Sequence, residues 1–378
     1  MLNFYLAWSI GYPILLWLLG RTWKVPTPTI YTRGNSFKVS LLIPFRNEIE
    51  KLPALVVEIQ KLRSSVFEII LVDDYSEDGS NDFLVAHFNS VSEVKILKNQ
   101  SFGKKGALSL GVSFAEGEII LCTDADCKFT ETWVEAICSP FQAASVQLVA
   151  GPVISANSNL FFSDFQQIEW ASILVVTNYS FSRNKPLMCS AANFAYRKSA
   201  FEAVDGYKGN LHQLSGDDEF LLKKIMKKFS NSSAIYLINQ EALVITESQD
   251  NWLLLIQQRI RWASKWRAHG SATHTSFTLI SFMVQLVWVA SFGLLFLGIP
   301  SISSFLIVWL GKSLAEYLTL SRPLKTYCID QNPINFISTS LIHPFFVSVV
   351  GFAALRGKFS WKGRSNVRSV ILANKFTK

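Results

Sequence analysis

Asp124 and Asp126 close a segment, residues 118–126, that reads EIILCTDAD. Ile119, Ile120, Leu121 and Cys122 form a short apolar run with β-branched members, the pattern of a strand buried on both faces. Two carboxylates one residue apart at the end of such a strand need a cation or other polar partners, because ionised groups lose solvation there. The carboxyl edge of strands in an open α/β sheet is also where ligands bind. The spacing points to a divalent metal, Mg2+ or Mn2+, which suits hard carboxylate oxygens and also takes oxygens from a diphosphate. A strand that ends in a solvated acidic turn accounts for the same residues, so the rest of the chain has to decide.

Two further clusters carry chemistry-bearing side chains. Asp217 and Asp218 precede a helix expected over 219–228, where either could serve as an ordinary N-cap. Gln258, Arg261 and Trp262 stand at i, i+3 and i+4 and share one face of a helix. Trp252, Ile256, Ala263 and Trp266 fall to one side of that helix, and Gln258, Arg261 and Lys265 fall elsewhere. That division also fits an amphipathic helix lying on a membrane.

The elements that must position these groups alternate. Strands are expected over 38–43, 67–72, 94–98 and 118–122, and helices over 50–63, 82–88 and 105–115. This rhythm predicts an α/β fold with a mostly parallel sheet covered by helices on both faces. Polar residues cluster after three strands: Pro44-Phe45-Arg46-Asn47-Glu48, then residues 73–80 (DDYSEDGS), then the Asp124-Ala125-Asp126 turn. Each cluster sits at a carboxyl edge, so all three can line one crevice.

Composition narrows the partners. Of the 378 residues 49% are hydrophobic and 17% charged, which is apolar for a soluble protein. The formal charge of +8 favours anionic partners. No zinc-finger spacing or RNA-binding aromatic motif supports nucleic acid. The five cysteines are scattered and form no CxxC pair, so most are expected to be small core residues in a reducing compartment.

The order of the clusters carries a resemblance. PFRNE, VDDYSEDGS, Gly103-Lys104-Lys105-Gly106-Ala107-Leu108 and TDAD, followed by Ser215-Gly216-Asp217-Asp218-Glu219-Phe220-Leu221 and Gln258-Arg259-Ile260-Arg261-Trp262 (QxxRW), resemble a family 2 glycosyltransferase of the GT-A fold. The likeness covers about residues 38–268. It implies a nucleotide-sugar donor, usually a UDP-sugar. Pro44, Glu48, Asp73, Lys104, Asp124, Gln258, Arg261 and Trp262 would bind that donor. Asp73 would accept from the base N3–H, Glu48 would shape the nucleoside pocket, and Lys104 would reach the base or the phosphates. Asp73 also fits a turn-capping role, and Glu48 a helix cap. Asp126 would ligate the metal, with Asp124 on the ribose or a metal-bound water. Arg261 would pair with the diphosphate and Trp262 would wall the acceptor channel.

Glycosyl transfer with inversion needs one base to take the acceptor hydroxyl proton. The resemblance assigns that role to Asp218, with Asp217 raising its pKa by like-charge repulsion. Asp217 stands where the family commonly has glutamate. Residues 188–193 (MCSAAN) resemble the family's GAN stretch, with Ala191 where glycine is usual; Asn193 would contact the acceptor sugar or satisfy backbone groups.

Residues 2–19 are uncharged and near the minimum length for a spanning helix. Arg21 and Lys24 follow, whereas a cleaved signal peptide carries its charge first. An anchor with its amino terminus outside and Arg21 in the cytoplasm is expected. Trp17 and Trp23 are interface anchors, and Pro26 and Pro28 mark a linker. Residues 276–297 can span, Gly298-Ile299-Pro300 can turn, and 302–320 can return, with Lys312 and Glu316 paired at i, i+4. Residues 334–355 form a third apolar stretch, interrupted by His343-Pro344. The basic tail after it belongs in the cytoplasm by the positive-inside rule, yet three full crossings would place it outside. Either one segment is re-entrant or interfacial, with Pro344 marking 334–355 first, or the tail departs from the rule. Residues 359–364 (FSWKGR) resemble the stretch that ends some relatives.

The expected domains are an anchor (1–24), a GT-A domain with an interfacial QxxRW helix at its end (37–268), a membrane region of two or three helices (274–356) and a basic tail (357–378). The expected activity is inverting transfer of a hexose or N-acetylhexosamine from a UDP-sugar to a lipid or lipid-linked acceptor. It would take place on the cytoplasmic side of a cell inner membrane. A processive polysaccharide synthase and an inactive nucleotide-binding membrane subunit are the alternatives.

Overall fold

The computed structural model describes residues 2–24, 37–101, 103–158, 160–211, 213, 215–264, 272–356, 360–361 and 364–365. The linker prolines Pro26 and Pro28, the helix residues Lys265 and Trp266, and most of the basic tail lie outside the described residues. In order, the chain forms α1 (Leu2–Gly20), β1 (Val39–Phe45), α2 (Leu52–Leu62), β2 (Glu68–Asp73), α3 (Ser80–Phe88), β3 (Val94–Lys98), α4 (Lys104–Phe114) and β4 (Ile119–Cys122). Then come β5 (Cys127–Phe129), α5 (Trp133–Cys138), β6 (Leu148–Ala150), β7 (Val153–Ser155), α6 (Phe161–Ser182), β8 (Phe194–Arg197) and α7 (Lys198–Ala203). The rest is α8 (Asp217–Lys228), β9 (Ala234–Tyr236), β10 (Val244–Thr246), α9 (Trp252–Ala263), α10 (Ala272–Ala290), α11 (Ile299–Thr326) and α12 (Pro333–Leu355).

The described contacts divide the chain into two units. One takes residues 26–154, 180–247 and 360–378. Its main sheet has seven strands in the order β3-β2-β1-β4-β8-β6-β9. β1 pairs in parallel with β2 and β4, β2 with β3, and β6 with β9, while β8 opposes both β4 and β6. One strand therefore runs against the rest, and the sheet is mostly parallel as the βαβ rhythm requires. The chain moves outward from β1 to β3 and then returns to the other side of β1 with β4. That reversal opens a crevice at the carboxyl ends of β1 and β4.

β1, β2 and β4 are buried along their whole lengths, which is why they read as continuous apolar runs. Pro44 falls inside β1 rather than just after it. Leu42 bonds toward β4 through its carbonyl, so Pro44, two residues on, faces the same side, beyond the last paired residue of β4. A missing N–H is harmless there. At the opposite, amino edge a polar knot ties the strands. Glu68 Oε1 accepts from Ser40 Oγ and from Glu116 N, each at 2.6 Å, and Lys95 Nζ lies 2.8 Å from Glu68 Oε2. A small second sheet, β5-β10-β7, sets Thr246 opposite Cys127. Residues 360–361 pair antiparallel with 364–365.

The other unit takes residues 1–25, 155–179 and 248–359. It holds α1, most of α6 and α9 through α12, so the QxxRW helix and residues 155–179 belong with the apolar helices. Among the described residues three helices are long and apolar enough to cross a membrane: Leu2–Gly20, Thr278–Phe296 and Pro333–Leu355. α11 is not one of them; at 28 residues it is long, but it carries Lys312, Glu316, Arg322 and Lys325. Pro344 does not break α12, which runs unbroken through it. α1 packs closely on α11: a Cβ on Gly20 would sit 2.8 Å from Thr319 Cγ2. The expected Lys312–Glu316 pair is present at 2.7 Å, and Tyr12 and Ser340 close a buried network around it.

Candidate active site

The first two edge loops are stitched into one rim. Arg46 is buried, and its Nη1 donates to the carbonyls of Asp74, at 2.8 Å, and Tyr75. Asn47 N–H donates to Ser76 Oγ at 3.0 Å, and Glu77 N–H donates back to Asn47 Oδ1 at 2.9 Å. Glu48 N–H reaches Ser80 Oγ at 2.9 Å and Ile49 N–H reaches Asp78 Oδ2 at 3.0 Å. Burial pulls the Asp78 carboxyl upward, but the bonds from Ser80 and the Ile49 amide outweigh it and hold it below its ordinary value. Asn47 and Tyr75 both take left-handed backbone angles, φ 49° and 61°, which these sharp turns require.

Within this rim the paired acids of β2 divide their work. Asp73 Oδ1 accepts from Ser76 N–H at 2.9 Å, the turn role that sequence allowed, and Oδ2 takes no hydrogen bond among the described residues. Asp74 is buried and turns toward the next loop, where its Oδ1 accepts from Asn99 Nδ2 at 2.8 Å and Gly103 N–H at 3.2 Å. Glu48 is not the cap of α2, a position Lys51 takes; its carbonyl accepts from Leu52 N–H at 3.0 Å in the turn before the helix.

Gly103, at φ 86°, turns the chain so that Lys104 and Lys105 open α4 at the crevice. Lys104 Nζ lies 2.5 Å from Asp124 Oδ1 and 3.7 Å from Asp217 Oδ2. Burial works against the charge of Lys104. The opposing carboxylates of Asp124, Asp217 and Asp218 outweigh it and hold the ammonium protonated well above the usual lysine range. Lys105 points the other way and is fully used by the carbonyls of Asn210, Gln213 and Ser215, at 3.1, 3.0 and 2.8 Å. It fixes the loop that delivers α8. Sequence reading passed over Lys105; its only signal is a second lysine in the first turn of a helix, where the dipole disfavours cations.

α8 begins with Gly216 at φ 81° in the cap position, without a side-chain cap bond, so neither aspartate is the N-cap. Asp217, Asp218 and Glu219 fill the buried first turn, where negative charge suits the helix dipole. Asp218 is clamped through both oxygens: Oδ1 accepts from Glu219 N–H at 2.7 Å and Oδ2 from Ala191 N–H at 3.1 Å. The MCSAAN stretch thus supports the base candidate through its backbone. Asn193 itself is corrected: it is fully buried, and its amide is spent on Trp133 Nε1 and the carbonyls of Pro152 and Ala242. It satisfies backbone groups and does not reach an acceptor.

Asp124 and Asp126 are the residues of this site that could hold a divalent metal. Both side chains keep solvent access, at 36% and 24%, so a ligand can reach them. Among the described residues no three His, Cys, Asp or Glu side chains form a ready cage. Mg2+ and Mn2+ do not need one, since they bind through one or two carboxylates and take further oxygens from phosphates and water. Lys51, which sequence reading missed, approaches from α2's entry. Its Nζ lies 3.5 Å from Asp126 Oδ2, 2.9 Å from Glu247 Oε2 and 3.8 Å from Glu48 Oε2. Four of the cysteines, Cys122, Cys127, Cys138 and Cys189, are buried as expected, and burial pushes the Cys122 thiol up to about 12, so it is inert.

In the helical unit, α9 is capped by Asn251, whose Oδ1 accepts from Leu254 N–H at 3.0 Å. The residue that fastens it is Arg259. Its guanidinium makes two 2.9 Å bonds to Glu169 of α6, lies 4.2 Å over the Trp262 ring, and donates to Gln258 Oε1. Trp262 meets Trp170 edge-on at 5.2 Å. Gln258 and Trp262 are thus positioned by a buried ion pair, while Arg261 stays half-buried. The signal for Arg259 was a charge on the apolar stripe with Leu255 and Ile256.

Comparison with known proteins bears on the fold. The family model described as glycosyl transferase family 2 matches residues 40–205. Over 94 residues the chain is 40% identical to the undecaprenyl-phosphate 4-deoxy-4-formamido-L-arabinose transferase of Yersinia pestis (strain Pestoides F), a stretch covering 24% of this chain and 29% of that relative. A mannosyltransferase from Pyrobaculum calidifontis, solved with GDP-Man and Mn2+, superposes with a TM-score of 0.56 at 15% identity, covering 94% of this chain and 97% of that one. At that identity the likeness speaks for the fold. Sheet order, edge clusters and structural likeness converge on an α/β sheet of the GT-A fold, and within it residues 40–205 match the model described as glycosyl transferase family 2.

Proposed function

We propose that the chain is a membrane-bound, metal-dependent, inverting glycosyltransferase. It moves a hexose or N-acetylhexosamine from a UDP-sugar to a lipid or lipid-linked acceptor at the cytoplasmic membrane face. The observation that carries this reading is the position of one ammonium. Lys104 Nζ lies 2.5 Å from Asp124 and 3.7 Å from Asp217, so the acidic turn after β4 and the acidic start of α8 form one site. Donor and acceptor chemistry need such a meeting point.

In this site Asp73 offers its Oδ2 to the base, and the stitched rim of residues 46–49 and 74–80 holds the nucleoside in place. Asp124 and Asp126 would hold Mg2+ or Mn2+ for the diphosphate. When bound, the metal neutralises charge that builds on the leaving diphosphate. Lys104 adds a second positive charge beside the same group. Asp218 accepts the proton of the acceptor hydroxyl as that oxygen attacks the anomeric carbon from the face opposite the leaving group. Its two backbone clamps fix the carboxylate's direction before the acceptor arrives. For Gln258, Arg261 and Trp262, in the other unit, the QxxRW resemblance supports a donor- and acceptor-binding role.

The lipid acceptor is supported by the Yersinia relative, named for an undecaprenyl-phosphate acceptor, and by the three helices able to span a membrane. The matched stretch is under a third of that relative's length, so the acceptor is carried by chemistry rather than by overall identity. Arg21 and Lys24, just after α1, support the cytoplasmic side.

The test is transfer by the purified, detergent-solubilised protein. Labelled UDP- and GDP-sugars are offered with native lipid extract and Mn2+ or Mg2+, with Asp218→Asn beside the wild type. A lipid-soluble product that vanishes in the variant supports the reading and names the donor. A labelled polymer replaces it with a processive synthase. Metal-dependent nucleotide binding without turnover replaces it with an inactive subunit.

A further inference from the structure

Lys51 is a cation paired with the acidic turn that the donor chemistry does not use. Its Nζ sits where three carboxylates from three places in the sheet unit converge: Glu48 from the loop after β1, Asp126 from the turn after β4, and Glu247 just past β10. Glu247 arrives there because Thr246 is paired with Cys127, which sets the residues next to them, Glu247 and Asp126, side by side. The closest partner of the ammonium is Glu247 at 2.9 Å, and Asp126 is farther at 3.5 Å. The lysine is therefore anchored on Glu247 and leans on Asp126. Its side chain retains 34% exposure, so it has room to move.

We propose that Lys51 is a built-in counter-cation of Asp126 that exchanges with the divalent metal. In the ligand-free site the ammonium neutralises the carboxylate and keeps it from drawing metal on its own. An ammonium and a divalent ion cannot share one carboxylate oxygen region without strong like-charge repulsion. Metal arriving with a nucleoside diphosphate brings added negative charge, displaces the ammonium from Asp126, and leaves it on Glu247. Lys51 keeps its proton throughout, so the exchange moves a cation and breaks no covalent bond. The consequence is ordered binding: metal is held weakly without nucleotide and firmly with it. This inference rests on the assignment of Asp126 as metal ligand.

The test is Mn2+ binding by the full chain in detergent, read from the free Mn2+ signal in electron paramagnetic resonance, with and without UDP or GDP. Lys51→Met is expected to bind Mn2+ alone about tenfold more tightly than the wild type, and to narrow the gap between nucleotide-free and nucleotide-bound affinities. Lys51→Arg, which keeps the charge, is expected to stay near the wild type. Glu247→Gln, which removes the anchor, is expected to leave the ammonium on Asp126 and weaken Mn2+ binding. Unchanged or weaker binding in Lys51→Met, with Asp126→Asn abolishing binding, overturns the exchange and leaves the metal site standing. Mn2+ binding that survives Asp126→Asn overturns both.

Discussion

At the scale of single residues, the site is a set of carboxylates whose environments separate their tasks. Asp73 and Asp74 are neighbours in sequence, yet Asp74 is buried as a tether for Asn99 and Gly103 while Asp73 keeps one oxygen uncommitted among the described residues. Asp217 faces Lys104, and Asp218 is clamped by two backbone amides. Loss of a general base typically slows a reaction about 10²- to 10⁴-fold. Asp218→Asn is therefore expected to lower kcat by that order. Because the two hydrogen bonds that hold Asp218 come from the Ala191 and Glu219 amides, neither assigned to the nucleotide, Kd for UDP measured by calorimetry is expected to stay within about threefold. A comparable loss of UDP affinity would place Asp218 in donor binding instead.

At the scale of elements, the informative contacts join pieces far apart in sequence. Glu68 knots the amino ends of β1 and β2 to the residues that lead into β4. Burial raises its pKa, but hydrogen bonds from Lys95, Ser40 and the Glu116 amide outweigh that and hold it below the ordinary glutamate value. A carboxyl depressed on folding stabilises the native state above its ordinary pKa, and that stability is lost as pH falls through the lower folded value. Melting curves between pH 7 and pH 3 are thus expected to show a drop in wild-type stability below about pH 4.5 that is smaller in Glu68→Gln. Equal slopes would remove Glu68 from the acid response. In the helical unit, Arg259 joins α9 to α6 through a bidentate bond that lysine cannot copy. Arg259→Lys is expected to cost about 1–3 kcal/mol in denaturant unfolding followed by tryptophan fluorescence, because Trp170 and Trp262 flank the guanidinium.

At the scale of the whole molecule, each unit has its own core and its own polar lock. The sheet unit buries Leu42, Ile70, Ile120, Phe194 and Tyr196 in one cluster. The helical unit gathers Tyr12, Trp288, Val308 and Trp309 in another. Beside that second cluster, Lys312 Nζ bonds Glu316 and the Ser340 carbonyl, both at 2.7 Å, and Tyr12 donates to Glu316 at 2.6 Å. This ties α1, α11 and α12 together. Removing one member of a buried pair costs about 3–5 kcal/mol, whereas replacing both with apolar groups is often neutral. Lys312→Met is expected to destabilise the detergent-solubilised protein by that amount, and Lys312→Met combined with Glu316→Leu to recover most of it. Failure of the double variant to recover would mean that the pair does more than hold the helices.

The sequence determined the βαβ order, the buried strands, the carboxylate turn at the end of β4 and the apolar helices. Each rests on local patterning: runs of β-branched residues, turn chemistry and uninterrupted hydrophobicity act over a few neighbouring residues. It also placed Asp124, Asp126, Asp217 and Asp218 at edges where they could meet. Only tertiary structure decided which of them do. Lys51 and Lys105 are ordinary lysines in sequence, and their partners lie up to 196 positions away, at Glu247, or in the loop before α8. Asn193 is polar and stands in a suggestive stretch, yet the fold surrounds it with carbonyls and withdraws it from the site. Pro344 reads as a break, but α12 continues through it. The physical reason is common to all of these. A charged or amide side chain takes its role from whatever completes its hydrogen bonds when it is desolvated, and those partners are chosen by packing between elements rather than by sequence neighbours.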